Sequence, residues 1–189
     1  MTAADAASQL RNAFPESTFD AVEFRGEHTV VAAGSALREI LRHCRDQLGF
    51  DYLVDISSLD HFGEEPRFEM VYELYGYAHG SHLRIRARVS EDHLEVDTVS
   101  DLWPTADWHE REVYDMMGIR FRNHPDLRRI LMWEGYPFFP LRKDFPLAGK
   151  PSAMPDVAFS GIAPLEGGPF VTSPSSASTA HREPRSREV

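Results

Sequence analysis

Residues 108–147 read WHEREVYDMMGIRFRNHPDLRRILMWEGYPFFPLRKDFPL, and we call this stretch the signature segment. Its charged side chains interleave with two Trp, two Tyr, four Phe and three Met along its whole length. An exposed amphipathic helix instead keeps charged and apolar side chains on opposite faces. Many of these charges are therefore expected beside buried surface, where each needs a defined partner. The fold of the chain is expected to be organised around this segment.

The charge of the signature segment differs from that of the whole chain. It holds seven Lys or Arg against six Asp or Glu, a formal +1, in a protein of net charge −10 and pI near 5.3. An acidic protein of this kind is not expected to have nucleic acid as its main ligand. A near-neutral segment rich in Arg and aromatic side chains is typical of a protein contact surface.

Composition excludes several kinds of site. The 189 residues, 42% hydrophobic and 26% charged, are typical of one globular domain with extensions. Cys44 is the single cysteine, so the chain alone cannot build a disulfide, a thiolate-held iron–sulfur cluster or a Cys-rich zinc site. No run approaches the roughly 18 apolar residues of a membrane span, and the first residues do not resemble a signal peptide. We expect a cytoplasmic protein that meets a membrane only through a partner.

The first hundred residues predict an α+β domain. A helix is predicted over residues 2–14, a hairpin over 19–33, and a second helix from Ser35, its expected N-cap, to Gly49. The second helix is the clearest, because its apolar side chains recur on one face at Leu37, Ile40, Leu41, Cys44 and Leu48.

The strands that follow complete this domain. They are predicted at residues 50–57, 67–75, 82–89 and 94–99. The third alternates strictly, with three Arg and one His on one face, which indicates either a solvated face balanced by Glu69 and Glu73 or an anion site. Residues 1–103 are thus predicted to form two layers, helices on an antiparallel or mixed sheet.

Residues 104–147 are predicted to begin with a helix and continue as an Arg-rich loop. The helix spans about 105–117 and ends at Gly118. Glu110 falls on its apolar stripe, beside Val113 and Met117, and a buried carboxylate requires a partner. The candidate cations follow in the same segment: Arg128, Arg129, Arg142 and Lys143.

The last 42 residues, 148–189, differ in composition. Six Pro, four Gly and seven Ser occur there without helical or strand periodicity, which predicts an extended and partly disordered tail. Apolar side chains are nevertheless spread between Met154 and Val171. Fully extended, the tail would reach on the order of 140 Å, enough to wrap a neighbouring protein.

Sequence motifs for catalysis are missing. His109-Glu110 begins like HExxH, but Val113 stands where the second zinc ligand would be. Neither a Gly-rich nucleotide loop nor a GxSxG elbow occurs. Because Glu110 and Asp115 each have an Arg within local reach, structural ion pairing is favoured over acid–base chemistry. The residues alone indicate an interaction protein.

The signature segment resembles that of the C subunit of the proton-pumping NADH:quinone oxidoreductase, respiratory complex I, of the bacterial type. The family pattern is ERE-x-x-D-x-x-GI-x-F-x-x-HPDLRRIL followed by PLRKD, and it is matched at residues 110–131 and 140–144. The tail motif Pro164–Phe170 is compatible with bacterial members.

The resemblance implies a non-catalytic peripheral-arm subunit. It implies that this chain holds no cofactor, and that FMN, the iron–sulfur clusters and quinone belong to partner subunits, which pass electrons from NADH to quinone with proton translocation. The expected partner is the large quinone-site subunit, and the expected location is the cytoplasmic side of the bacterial inner membrane, as a peripheral protein. No catalytic, cofactor-binding or metal residue is expected in this chain.

The expected interface and ion-pair residues all lie in the signature segment: Glu110, Arg111, Glu112, Asp115, His124, Asp126, Arg128, Arg129, Arg142, Lys143 and Asp144. Our hypothesis is that Glu110, Arg111 and Asp115 pair with the 128–129 and 142–144 groups. Two alternative functions remain: a homologous subunit of a membrane-bound hydrogenase or formate-linked complex, and a free adaptor or assembly protein.

Overall fold

The main part of the fold has two layers, a five-stranded sheet and the helices that pack on it. The structure is a computed structural model that describes residues 1–133 and 135–146. The strands of the sheet are β1 (Thr18–Phe24), β2 (Glu27–Ala32), β3 (Tyr52–Asp60), β4 (Phe68–Gly76) and β5 (Ser81–Val89), in the order β1-β2-β5-β4-β3. Strands β2 and β5 pair in parallel and all other neighbours pair antiparallel. The predicted α+β class with a mixed sheet is confirmed.

Two helices precede β3 in the chain. Helix α1 (Ala3–Ala13) begins with a capping box in which Thr2 and Asp5 bond each other's backbone N–H. Helix α2 (Leu37–Asp46) follows a 3₁₀ turn, Gly34–Ala36, and the predicted Ser35 cap is wrong. Because Ser35 lies inside that turn, its side chain makes no cap hydrogen bond, and the N-cap position of α2 falls on Ala36.

The core lies between the helices and one face of the sheet. The apolar face of α2 is buried as predicted, with Ile40, Leu41 and Cys44 inaccessible to solvent, and α1 packs on β2 and β5. From β5, the side chains of Leu83 and Ile85 enter the same core. Burial of this apolar surface is the main stabilising contribution to the fold.

The opposite face of β5 carries an arrangement that we call the outer-face lattice. It is formed by Arg84, Arg86 and Arg88 with the carboxylates Glu27, Glu64, Glu69 and Glu73. Each Arg side chain is about one third exposed and contacts at least one carboxylate. The geometry favours the solvated, ion-paired interpretation of this face over the anion site.

Residues 94–99 do not extend the meander, which corrects that prediction. Strand β6 (Glu95–Asp97) instead pairs in parallel with a strand missed by sequence reasoning, β7 (Arg120–Arg122). Helix α3 (Ala106–Met117) connects the two and packs on β3. A helical crossover of this length is what parallel pairing requires, and it buries Val96 against Phe121.

The signature segment packs onto the rest of the fold in the compact unit Met1–Gly149. The predicted boundary between residues 103 and 104 falls inside this unit and stays a prediction. The predicted tail, 148–189, and its Pro164–Phe170 motif lie outside the described residues.

Candidate functional site

Helix α3 ends at a glycine that no other residue could replace without rearrangement. Gly118 has φ +78°, in the left-handed region. A Cβ at this position would lie 2.6 Å from Arg142 Nη2 and 2.8 Å from the Phe139 ring. The helix end is therefore in close contact with the loop that closes the signature segment.

Asp115 is the centre of this segment. Its buried side chain accepts a charge-assisted bond from Arg129 Nη1 at 2.6 Å through Oδ1. Its Oδ2 accepts three successive backbone N–H groups, from Ile130 at 3.0 Å, Leu131 at 2.7 Å and Met132 at 2.8 Å. One carboxylate thus fixes the path of the chain after the HPDLRR motif, and the expected pairing with the 128–129 group is present.

Arg129 extends that network to the next turn of chain. Besides Asp115, it donates to the Phe138 carbonyl at 3.2 Å. Its guanidinium also lies over the rings of Tyr136, at 5.7 Å, and Phe139, at 5.1 Å. With 12% of its side chain exposed, Arg129 is a structural residue that faces inward.

Arg128, the preceding residue, faces solvent. Its side chain is 70% exposed and pairs at 2.8 Å with Asp126, which is also exposed. Its carbonyl accepts a hydrogen bond from Arg111 Nε at 3.2 Å, and the Arg111 guanidinium lies over the indole of Trp108 at 5.0 Å. Arg111 is therefore buried against an aromatic ring and a carbonyl, and no carboxylate contacts it among residues 1–133 and 135–146.

The predicted cation for Glu110 is wrong. The Glu110 side chain is fully buried, yet within the described part of the chain no Lys or Arg contacts it. Its carboxylate is bonded instead to the Thr98 hydroxyl and to the Val99 N–H, at 2.7 Å. Sequence reasoning looked for a partner after the helix, whereas Glu110 faces the segment before it. Burial, the largest effect, raises the pKa of Glu110 to about 7.

His124 lies beside Glu110, and its side chain is also fully buried. Its Nε2 is 3.7 Å from Glu110 Oε2 and 3.3 Å from both the carbonyl oxygen and Oδ1 of Asp107. Its Nδ1 accepts the N–H of Asp126 at 3.0 Å. Glu112, by contrast, is exposed on the outer side of α3.

The 142–144 group does not reach Glu110, Arg111 or Asp115, which corrects the second half of the pairing hypothesis. Arg142 Nε donates to the Met117 carbonyl at 2.7 Å, and its guanidinium lies over Phe68 and Phe139. The Lys143 N–H donates to Asp60 at 2.8 Å. Asp144 pairs at 2.9 Å with Arg67. The partners of this loop come from the end of α3, from β3, and from Arg67 and Phe68 at the start of β4.

Arg67 is a structural centre that sequence reasoning missed. Its buried guanidinium pairs with Asp60 at 2.8 Å, Glu91 at 2.9 Å and Asp144 at 2.9 Å. It also lies over the rings of Phe62 and Phe68. These partners, chiefly Asp60, raise the pKa of Arg67. The hydrogen bond from the Arg67 guanidinium in turn holds the pKa of Asp60 below its usual value. No local pattern marks this residue, since its partners lie 7, 24 and 77 positions away.

The described contacts of this site hold loops in place. Within residues 1–133 and 135–146, no three His, Cys, Asp or Glu side chains are grouped so that they could hold a metal ion. Across the same residues, no helix has the length and apolar character needed to cross a membrane. What the arrangement presents outward is Trp108, Arg128 and Leu131, whose exposed fractions are 63%, 70% and 60%.

Comparison with known proteins connects this geometry to a family. The family described as the respiratory-chain NADH dehydrogenase, 30 Kd subunit, matches residues 30–151. The chain is similar to the C subunit of the NADH-quinone oxidoreductase of Geotalea uraniireducens, with 43% identity over 141 residues that cover 75% of this chain and 86% of the relative.

Two solved structures are also similar. A trypsin-resistant fragment of Nqo5 is 34% identical, with a TM-score of 0.58 over 66% of this chain and 99% of the fragment. A chain of the archaeal membrane-bound sulfane sulfur reductase, a respiratory membrane complex, has a TM-score of 0.67 over 86% of this chain and 94% of that chain. At 20% identity, the second likeness shows the fold alone.

Proposed function

We propose a function from one premise: the chain belongs to the family of the respiratory-chain NADH dehydrogenase 30 Kd subunit. It is accordingly a subunit of NADH–quinone oxidoreductase, complex I, and its partners are other subunits of that complex. The resemblance to the C subunit of complex I, predicted from the signature segment, is confirmed by the family and by its relatives.

Within the complex, we propose that this chain is a non-catalytic peripheral-arm subunit. FMN, the iron–sulfur clusters and quinone are held by partner subunits, which pass electrons from NADH to quinone and couple this transfer to proton translocation. The chain lies on the cytoplasmic side of the bacterial inner membrane and reaches the membrane through those partners. The sequence supports this assignment, because it contains a single cysteine and no Gly-rich nucleotide loop.

The proposed role is to pack against the quinone-site subunit through the signature segment. The observation that carries this proposal is the outward display of Trp108, Arg128 and Leu131. Trp and Arg are the side chains that dominate binding energy at protein interfaces. Because Asp115 bonds the N–H of Leu131 and of the residue on each side of it, the backbone that carries Leu131 is fixed before the partner arrives.

The first experiment is a pull-down from the native host. The tagged chain is extracted from membranes in mild detergent, and the eluate is assayed for inhibitor-sensitive NADH:quinone reductase activity and for flavin and iron–sulfur spectra. We expect activity to co-elute with several other subunits. A colourless, inactive single protein from the soluble fraction would overturn the proposal and support the free adaptor.

Two variants then test the surface itself. Trp108→Ala and Arg128→Glu are expected to lower recovery of the assembled complex several-fold while the purified chain keeps its thermal unfolding midpoint. Their matched controls are Tyr77→Ala, a ring of similar exposure (65%), and Arg42→Glu, an exposed side chain that pairs with an exposed carboxylate as Arg128 does, both outside the signature segment. Unchanged recovery with Trp108→Ala and Arg128→Glu would exclude the surface as an interface. Arg129→Glu is unsuitable, because it breaks a buried pair within the chain.

The same pull-down distinguishes the alternative electron donor. A membrane-bound hydrogenase or formate-linked complex would co-elute hydrogenase or formate-oxidising activity in place of NADH oxidation. We test this alternative because the chain shares its fold with a chain of another respiratory membrane complex, the archaeal sulfane sulfur reductase.

A further inference from the structure

Glu110 is buried without a cation, which is unusual for a carboxylate. Its side chain has no exposed surface, and within the described residues its bonded partners are a hydroxyl, Thr98 Oγ1, and a backbone N–H, that of Val99. Asp115, on the same helix, has both Arg129 and three N–H donors. The two carboxyl groups therefore sit in different electrostatic surroundings.

His124, whose Nε2 lies 3.7 Å from Glu110 Oε2, does not supply a positive charge. The Asp126 N–H donates to His124 Nδ1, so that nitrogen is an acceptor and carries no proton. The imidazole is consequently neutral, with its single proton on Nε2, directed toward Asp107 and Glu110. Protonating Nδ1 would break the bond to the Asp126 backbone.

The remaining charged groups around Glu110 do not favour its ionised form. Asp107, Asp101 and the Tyr72 hydroxyl act on Glu110 electrostatically. The further charged groups on the surrounding elements are Arg38 on α2, which pairs with Asp101, and Asp97, which pairs with Arg122. Arg38 and Arg122 are already paired, at 2.8 Å and 2.9 Å. Asp107 and Asp101 both act to raise the pKa of Glu110.

We propose that Glu110 is a buried proton-holding site, which carries its proton in the folded chain at mildly acidic to neutral pH and releases it to solvent above that range. When protonated, the Glu110 hydroxyl donates to Thr98 Oγ1, and Thr98 donates to Ser100 Oγ, 2.8 Å away. On ionisation Thr98 donates its single hydroxyl proton to Glu110, so the first bond reverses and Thr98 no longer donates to Ser100. Protonation of Glu110 thus controls the hydrogen-bond direction between α3 and the segment 98–100.

The sign of the pH effect follows from linkage. The pKa of Glu110 is raised in the folded chain, to about 7 from an ordinary 4.5. Its contribution to stability is therefore complete below the unfolded value and is lost as pH rises through about 7. Between about pH 5 and pH 8, the unfolding equilibrium constant is expected to rise on the order of a hundredfold relative to a Glu110→Gln chain.

The test uses the purified full-length chain and two variants, Glu110→Gln and the control Glu112→Gln, whose side chain is exposed on the same helix. Infrared spectra across pH follow the carbonyl stretch of a protonated carboxylic acid, and denaturant titrations follow stability. We expect a protonated-acid band that persists to near neutral pH in the natural chain and in Glu112→Gln but is missing from Glu110→Gln. A band lost near pH 4.5, or equal pH dependence of stability in all three chains, would overturn the proposal.

A second variant keeps the test decisive if Glu110→Gln does not fold. The Thr98 hydroxyl bond lowers the pKa of Glu110. Thr98→Val is therefore expected to move the loss of the infrared band to higher pH. An unmoved band would show that the protonated group is not Glu110.

Discussion

Arg–carboxylate pairs occur in two contrasting regions of this molecule. In the signature segment, Arg129 and Asp115 are 12% and 0% exposed, and the carboxylate also fixes three backbone N–H groups. In the outer-face lattice, Arg84 and its partners Glu73 and Glu27 are 32%, 24% and 61% exposed. Water can replace a lost partner of Arg84 but not one around Asp115. The contribution of each pair to stability therefore depends less on the length of its bond than on how exposed the remaining partner is when the other is removed.

The largest effect is expected at Asp115. Replacing it with Ala leaves Arg129 without its carboxylate and three N–H groups without an acceptor. We expect a loss of about 3–5 kcal/mol in the free energy of unfolding, measured by denaturant titration. Glu112→Ala, an exposed control on the same helix, should change stability by less than about 0.5 kcal/mol. Equal losses in the two variants would show that Asp115 contributes no more than an exposed carboxylate on the same helix.

A smaller loss is expected at Arg67, because water reaches part of its network. Arg67→Met keeps an aliphatic side chain beside Phe68. It leaves the fully buried Asp60 carboxylate with the Lys143 N–H as its one described donor. We expect a loss of about 3 kcal/mol. The double variant Asp60→Leu/Arg67→Met should recover part of it, since no buried charge then remains. A double variant less stable than the single one would show that Asp60 matters mainly through Lys143.

The smallest effect is expected in the outer-face lattice. Arg84→Gln should lower the free energy of unfolding by less than about 1 kcal/mol, and the difference should shrink in high salt, because the pair is partly hydrated. Thermal unfolding at low and high ionic strength measures both quantities. A loss as large as that of Arg67→Met, or one insensitive to salt, would show that the lattice behaves like a buried network.

Local patterns in the sequence predicted the elements that bury one face. The periodicity of Leu37, Ile40, Leu41 and Cys44 predicted α2, and the alternation of β5 predicted which side chains enter the core. The burial of Glu110 also followed from its position on the apolar stripe. These features depend on neighbours within one or two turns of chain, where sequence spacing determines geometry.

Partners distant in sequence could not be predicted in the same way. Arg67 and Asp144 are 77 positions apart, and no spacing rule connects them. Strands β6 and β7 have three residues each, too few for a periodic pattern, and their pairing depends on where α3 returns the chain. The prediction of a cation partner for Glu110 was wrong for the same reason. Thr98 and Val99 are the partners of Glu110 because of where the fold places helix α3, which the sequence spacing does not show.

The bonds of Asp115 also constrain the length of the chain between them. Its carboxylate binds N–H groups 15, 16 and 17 positions later, so residues 116–129 span a closed interval whose ends are both fixed. An insertion there would bring other N–H groups to the carboxylate and shift Arg129 out of reach. The exposed turn at residues 62–66, between β3 and β4, is closed at its base by the His61 N–H bond to the Arg67 carbonyl, which a longer loop can keep. Insertions and deletions should therefore be tolerated in the turn and rejected in the interval, whatever side chains they carry.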